Sequence, residues 1–394
     1  MLNDLPQLNN QNQTNTTKKS NFFENILYSI CNYFKSITQW FKDFKQANLK
    51  SKWRMIGKFL INYALVLFII IYVVIVAIIE PRFVNLTSIV DIITQSSLLL
   101  MVSLGMAGII VLSGADLSAS SIVFFVVAIV STLIPNITTK GAGAGSGIYL
   151  INGLVLPLAV AFVVALILGG GVGAINGTLT AKFKVHPFIG TMATNFIFGG
   201  SALVLLVMTG LGASSSTIQI DPSSDLVKFV RSGFKIGNVT VPNIVWFAFI
   251  AVFVISIIWN KTKFGKHMFA VGCNTEAAKV SGINVTFTTI SVFVLSGIMY
   301  GYAAFFGMGQ NNGGGENSYS LLGLYAIASC VIGGVSFSGG VGKIRGVVFG
   351  VILFQLIRNS TGYIGLTTSV GNVFIGIVVA FAVVFDMLKY RQRS

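Results

Sequence analysis

The chain runs to 394 residues, of which 54% are hydrophobic and 9% charged, against about 25% charged in an ordinary soluble domain. That balance excludes a soluble globular enzyme or binding module. The net charge of +15 would suit nucleic acid, but the basic residues gather in the N-terminal tail and in short connections between apolar runs, as in an oriented membrane protein.

Residues 1–56 form the first region. Residues 1–20 are rich in Asn, Gln and Thr and lack the apolar content to fold alone, so a disordered tail is expected. In residues 21–47, Phe22, Ile26, Tyr28, Ile30, Tyr33, Phe34, Ile37, Trp40, Phe41 and Phe44 stand among lysines. This pattern predicts an amphipathic helix lying on the inner membrane surface, with a cytosolic interaction helix as the alternative. So long a polar lead before the first apolar run does not fit a cleaved secretory signal.

The membrane region is expected over 57–390. Crossing hydrocarbon as a helix takes about 20 apolar residues, and ten candidates follow one another at 57–79, 92–113, 117–134, 150–176, 187–209, 243–259, 287–309, 322–336, 346–360 and 370–388. The reading is an all-α polytopic membrane protein. The eighth and ninth segments are short and interrupted by glycine, which suits half-helices packed inside the protein. Glycine, at 43 residues, is tolerated in such helices because close backbone approach replaces the hydrophobic effect as packing force.

With both termini in the cytosol, the lysines and arginines divide 20 inside to 6 outside, as the positive-inside rule requires. Two extramembrane loops then exceed a turn. The outer loop, 211–242, contains a strand-like KIGNVTVP stretch and is placed to cap the outer mouth or touch a receptor. The inner loop, 260–286, is where energy coupling would enter.

Chemistry of its own is not expected from the chain. Cys31, Cys273 and Cys330 have no C-x-x-C spacing, so neither a disulfide framework nor a metal site is expected. Gly333, Gly334, Gly339, Gly340 and Gly342 precede Lys343 and superficially suggest a phosphate loop. That motif needs G-x-x-x-x-G-K-[ST], whereas Phe337 holds the first-glycine position and Ile344 follows the lysine. The glycines read instead as tight helix packing or a sharp break.

The inner loop reads NKTKFGKHMFAVGCNTEAAKVSGINV. Asn274 or Thr275 offers an N-cap oxygen, Glu276 sits in the first turn where the dipole favours negative charge, and Gly282 suits the left-handed C-terminal position. A two-turn helix over about 275–281 follows, with Ala277 and Ala278 keeping one face small enough to seat in a partner's groove; an ordinary capped loop helix is the plainer reading. The segment resembles the coupling-helix region of ATP-binding-cassette importer permeases of the ribose and galactose/methylgalactoside branch, through Thr262, Phe264, Gly265, Ala270, Gly272, Asn274, Glu276, Ala277, Ala278, Ser281, Gly282 and Ile283. SGADLSAS at 113–120, GAINGTLTAKFKVHPFIGTMAT at 173–194 and CVIGGVSFSGGVG at 330–342 extend the resemblance over roughly 58–390, the last being nearest the galactoside permeases. Two positions depart from the pattern: Ser120 stands where a glycine is expected, and the run Gly323–Ala328 lacks two acids.

This resemblance implies a type II-like permease of about ten helices in a bacterial plasma membrane, paired with a second copy or paralogue. A separate ATPase would bind ATP and Mg²⁺, leaving this chain without a cofactor, and an external binding lipoprotein would deliver a sugar. Within it the coupling helix would be Asn274, Thr275, Glu276, Ala277, Ala278, Lys279, Val280, Ser281 and Gly282. Asp116, Asn176, Asn195, Gly333 and Gly334 are candidates for the translocation path or gate, with helix capping as the competing role for Asp116 and hydrogen-bonded packing for the two asparagines and for His186. Asn311, Asn312 and Glu316 are candidates for receptor docking, or else a solvated turn. A nucleoside cargo is the alternative within this machinery. An ion-coupled secondary transporter is the alternative outside it, and would need more intramembrane ionisable groups than Asp116 and Arg358.

Overall fold

The computed structural model describes residues 69–134, 156–208 and 217–365, with isolated positions between 367 and 380. These belong to a compact unit spanning 65–394. The expected tail, the helix expected at 21–47, the start of the first expected span and most of the last lie outside the described residues.

The helices follow the apolar runs in order. Helix α1 covers Ile69–Ile79, a 3-10 turn covers Pro81–Val84, and α2 (Leu86–Val111), α3 (Ala119–Ser131), α4 (Leu158–Ala181) and α5 (Pro187–Met208) follow. After a short helix α6 (Asp225–Arg231) come α7 (Asn243–Lys261), α8 (Lys263–Cys273), α9 (Thr275–Val280) and α10 (Val285–Gln310). The single-turn α11 (Glu316–Tyr319), then α12 (Leu322–Ile332) and α13 (Ile344–Tyr363), complete the described helices. Five of them, α2, α4, α5, α7 and α10, are long and apolar enough to cross a membrane. Of these, α2 and α10 are largely enclosed by the rest of the unit, whereas α4, α5 and α7 turn most of their apolar surface outward.

Two short antiparallel ribbons interrupt the helices among the described residues, one of them at the stretch KIGNVTVP expected to be strand-like. Strands β2 (Gly233–Ile236) and β3 (Val239–Pro242) pair across a two-residue turn, where Gly237 takes φ +60°, a conformation open to glycine at little cost. Strand β1 (Thr217–Gln219) pairs with β4 (Gly313–Gly315), distant in sequence. Backbone polarity explains both: a non-helical connection must satisfy its N–H and C=O groups somewhere, and a minimal ladder does so.

Helices α3 and α12, at 13 and 11 residues, reach only about 20 and 16 Å at 1.5 Å per residue, too short to span. They meet near their N-termini, where Gly323 N donates to Ser120 Oγ at 2.8 Å. The two positions that depart from the family pattern therefore touch. The ninth segment is longer than expected, at 20 residues, although Gln355, Arg358, Asn359, Ser360 and Thr361 make its second half polar.

The tightest joint is between α4 and α10. Gly169, Gly173 and Gly177 stand one turn apart on α4 and pack against α10, Gly169 on Gly297 and Gly301, Gly173 on Phe293 and Gly297, and Gly177 on Ile290 and Phe293. A Cβ on Gly169 would lie 2.2 Å from Gly297 O, and one on Gly173 would lie 2.3 Å from Phe293 O. No side chain fits there, so the backbones touch and dispersion acts between them directly.

Candidate functional site

The loop between α7 and α10 folds as the sequence demands. Thr262 caps α8, accepting from Gly265 N at 3.2 Å. Asn274 Oδ1 caps α9, accepting from Ala277 N at 2.9 Å. Ser281 N donates to Ala277 O and Ile283 N to Ala278 O, both at 3.0 Å, and Gly282 reverses the chain with φ +81°. Ala278 is buried beneath the helix, while Thr275, Glu276, Ala277, Lys279, Val280, Ser281 and Gly282 face outward. Val280 is 90% exposed. A capped helix that presents an uncovered valine beside a carboxylate and an ammonium has the character of a small, rigid contact surface.

One turn back, this loop is fastened to the membrane unit. Gly340 N donates to Val111 O at 2.8 Å, Cys273 Sγ contacts Gly340 O at 3.7 Å, and a Cβ on Gly272 would lie 2.0 Å from Val111 O. The end of α8, the end of α2 and the glycine loop before α13 thus share one knot. Gly334, Gly339 and Gly340 have φ between +66° and +82°, so these glycines make a break. Gly333 instead makes a close approach, since its Cβ would meet Gly346 O at 2.3 Å. Both expected uses of glycine occur in one loop.

From Val111 the chain leads into a polar cluster. Asp116, 1% exposed, accepts at Oδ1 from Ser118 N (2.8 Å) and Ser118 Oγ (2.5 Å), bracing the turn that opens α3, and Tyr300 also faces it from α10. Asn176 Nδ2 on α4 donates to Ser118 Oγ at 2.8 Å, Thr194 Oγ1 on α5 donates to Asn176 Oδ1 at 2.7 Å, and Ser121 Oγ donates to Asn195 Oδ1 at 2.5 Å. Four helices are joined through these side chains. Leaving such a group unpaired in an apolar interior costs about 1–3 kcal/mol, so Asn176→Leu is expected to lower the midpoint of thermal unfolding in detergent measurably. An unchanged midpoint would show the network to be dispensable. His186 lies in the approach to α5, where Ile189 N and Gly190 N both donate to its carbonyl at 3.0 Å.

The residues considered for docking come together at the opposite end of α10. Asn311, Asn312 and Glu316 flank β4, so the described part of the outer loop, 217–242, and the 311–316 turn form one surface through the β1–β4 ladder. Asn312 takes φ +54°, a region that asparagine tolerates better than most residues, and its carbonyl accepts from Ile220 N at 2.9 Å. Arg231 donates to Gln310 O through Nε (3.0 Å) and Nη2 (2.7 Å), placing a cation at the negative end of the α10 dipole. A cavity of about 310 Å³ opens here between Ile218, Gln219, Pro222, Asn311, Asn312 and Ser318. The β1–β4 pairing escaped sequence reasoning, because a three-glycine strand carries no alternation to read.

Among the described residues no group of three or more His, Cys, Asp or Glu side chains could hold a metal ion. Sequence comparison bears on the whole region. The family model described as branched-chain amino acid transport system / permease component matches residues 88–383. The galactose/methyl galactoside import permease protein of Escherichia coli (strain K12) is 35% identical over 315 residues, covering 80% of this chain and 90% of that one. The D-allose transport system permease protein of the same strain is 30% identical, covering 78% and 85%, and the ribose import permease protein of Haemophilus influenzae is 27% identical, covering 84% and 94%. No solved structure matches.

Proposed function

This chain belongs to the branched-chain amino acid transport system / permease component family, a non-catalytic, multi-pass membrane component of sugar importers driven by an ATP-binding cassette, and we propose that its own cargo is a hexose or pentose of the galactose, ribose and allose kind. The observation that carries the cargo reading is the 35% identity over 90% of a galactose/methyl galactoside permease. About ten helices per subunit, both termini in the cytosol and a second permease copy or paralogue complete the proposed arrangement. A separate ATPase holds ATP and Mg²⁺, and an external binding lipoprotein supplies the sugar.

The connected geometry supports the following working cycle. Partner closure pushes on α9; the Gly272–Gly340–Val111 knot passes the displacement to the Ser113–Ser118 segment; Asp116, Asn176 and Asn195 act as a hydrogen-bonded latch between α3, α4 and α5. Gly333 and Gly334 give the α12–α13 corner room to hinge. At the other end, the surface of Asn311, Asn312 and Glu316 receives the loaded lipoprotein.

Reconstitution with the cognate ATPase and lipoprotein in liposomes provides the test, with uptake of labelled galactose, ribose and a nucleoside followed with and without ATP. ATP-dependent accumulation of one of the sugars is expected. Accumulation of the nucleoside alone would replace the cargo, and uptake that follows an ion gradient without the ATPase would overturn the mechanism.

A further inference from the structure

One polar surface at membrane depth is used by none of the elements above. On α2, Gln95 is exposed; on α13, Gln355 Nε2 donates to Gln95 Oε1 at 2.8 Å and to Asn359 Oδ1 at 2.9 Å. One turn from Gln355, the exposed Arg358 guanidinium lies 5.2 Å from the centre of the Tyr325 ring, and Tyr325 Oη lies 3.1 Å from Asn372 Oδ1. Among the described residues no carboxylate pairs with Arg358. Gln95 is nine residues into α2 and Gln355 eight residues from the end of α13, each about 12–14 Å along its helix. That depth puts the seam well inside the hydrocarbon layer that α2 must cross.

A cation and several amides cannot be left against lipid tails, because intramembrane polar groups are stable only toward a bundle interior or a water-filled cavity. Elsewhere the unit obeys this rule: the exposed side chains at Phe249, Ile250, Phe253 and Val254 on α7 are apolar. We infer that the seam formed by Gln95, Asn359, Arg358, Tyr325 and Asn372, with the buried Gln355 holding Gln95 and Asn359 in place from behind, lines the wall of the aqueous path and offers a transient site to a neutral, polyhydroxylated solute. Amide groups both donate to and accept from hydroxyls, which the side chains of Phe249, Ile250, Phe253 and Val254 on α7 cannot do. The ring of Tyr325 presents an apolar face to the C–H side of a sugar. Arg358, held over that ring, adds donors without a competing counter-charge. The solute class rests on the proposed function; the aqueous character of the seam does not.

The test uses the complete importer in liposomes, in a background with Cys31→Ser and Cys273→Ser, and a membrane-impermeant thiosulfonate reagent. Cysteine introduced as Asn359→Cys or Gln95→Cys is expected to be labelled, and saturating transported sugar is expected to slow that labelling. Phe249→Cys, 63% exposed toward lipid in the wild type, is expected to stay unlabelled. Labelling no faster than at Phe249→Cys would overturn the seam, and so would a disulfide between two copies of Asn359→Cys without labelling, since the face would then be a dry contact. Labelling that no sugar slows, in an importer that moves none, would refute the cargo reading and leave the aqueous seam standing. Asn359→Leu, which removes hydrogen bonds to the solute, is expected to lower uptake about tenfold while receptor-stimulated ATP hydrolysis persists. Unchanged uptake would overturn the site.

Discussion

Replacing Gly173 with isoleucine is expected to abolish the folded permease, whereas Gly171→Ala, two residues away on the same helix, should leave its stability unchanged or slightly raised. At Gly173 the first added carbon would lie 2.3 Å from Phe293 O and 3.2 Å from the Cα of Gly297. Those neighbours are backbone and have no rotamer to retreat into. Overpacking a close-fitted core costs about 1–3 kcal/mol when side chains can shift, so a clash against main chain belongs at or above the top of that range. The relief available is a separation of α4 from α10, which would also disturb the facing pairs at Gly169, Gly297 and Gly301. At Gly171 an added Cβ meets nothing within 4 Å, and alanine is the better helix former by up to about 1 kcal/mol. Extraction into mild detergent, gel filtration and thermal melting would separate the two variants. A monodisperse Gly173→Ile protein melting with the wild type would refute this account of the α4–α10 joint.

That joint was only half legible in the chain. The spacing Gly169–Gly173–Gly177 and the pair Gly297–Gly301 announce close helix contacts, but nothing local says that these two helices are partners, because such faces pair by complementarity in space. Helix existence was the easy part: α3, α5, α7 and α10 begin and end within a few residues of the apolar runs at 117–134, 187–209, 243–259 and 287–309, whereas α2 starts at Leu86 ahead of the run at 92–113 and α4 is displaced to Leu158–Ala181 from the run at 150–176. The loop helix α9 was also readable, since Asn274, Glu276 and Gly282 each perform a local task that sequence alone reveals. The β1–β4 ladder was not, and neither was the Gly272–Gly340–Val111 knot, because both are made by backbone atoms whose partners lie far along the chain. Asp116 shows the middle case. Its residue type and its place before an apolar run point to a helix cap, but Ser118 takes the N-cap position of α3 and Asp116 instead braces the turn ahead of it; its links through Ser118 to Asn176 and Thr194 need two further helices, α4 and α5, to be in place.

The second large effect is expected at α9, where Val280→Asp should sever ATP hydrolysis from uptake without altering insertion or thermal stability. The helix holds itself together with internal bonds: Asn274 caps one end, and Ser281, Gly282 and Ile283 close the other. Val280 contributes nothing to that closure and is 90% exposed, so the wild-type fold gains little from it. Its worth must lie in whatever covers it. An apolar anchor seated in a partner's pocket typically accounts for about 2 kcal/mol or more of binding, and a buried unpaired carboxylate in its place adds a desolvation cost. Loss of tight engagement follows, with the partner ATPase idling or dissociating. Ala278, buried under the same helix, supplies the contrast: Ala278→Asp should destabilise the permease itself, because its side chain points into the unit. Wild-type uptake by the Val280→Asp importer would sink the coupling role of this helix. Failure of both variants to insert would show that α9 supports the fold and does not serve as a contact. The expected pattern, normal melting with lost uptake for Val280→Asp and lowered melting for Ala278→Asp, arises only if one face of α9 belongs to this chain and the other to its partner.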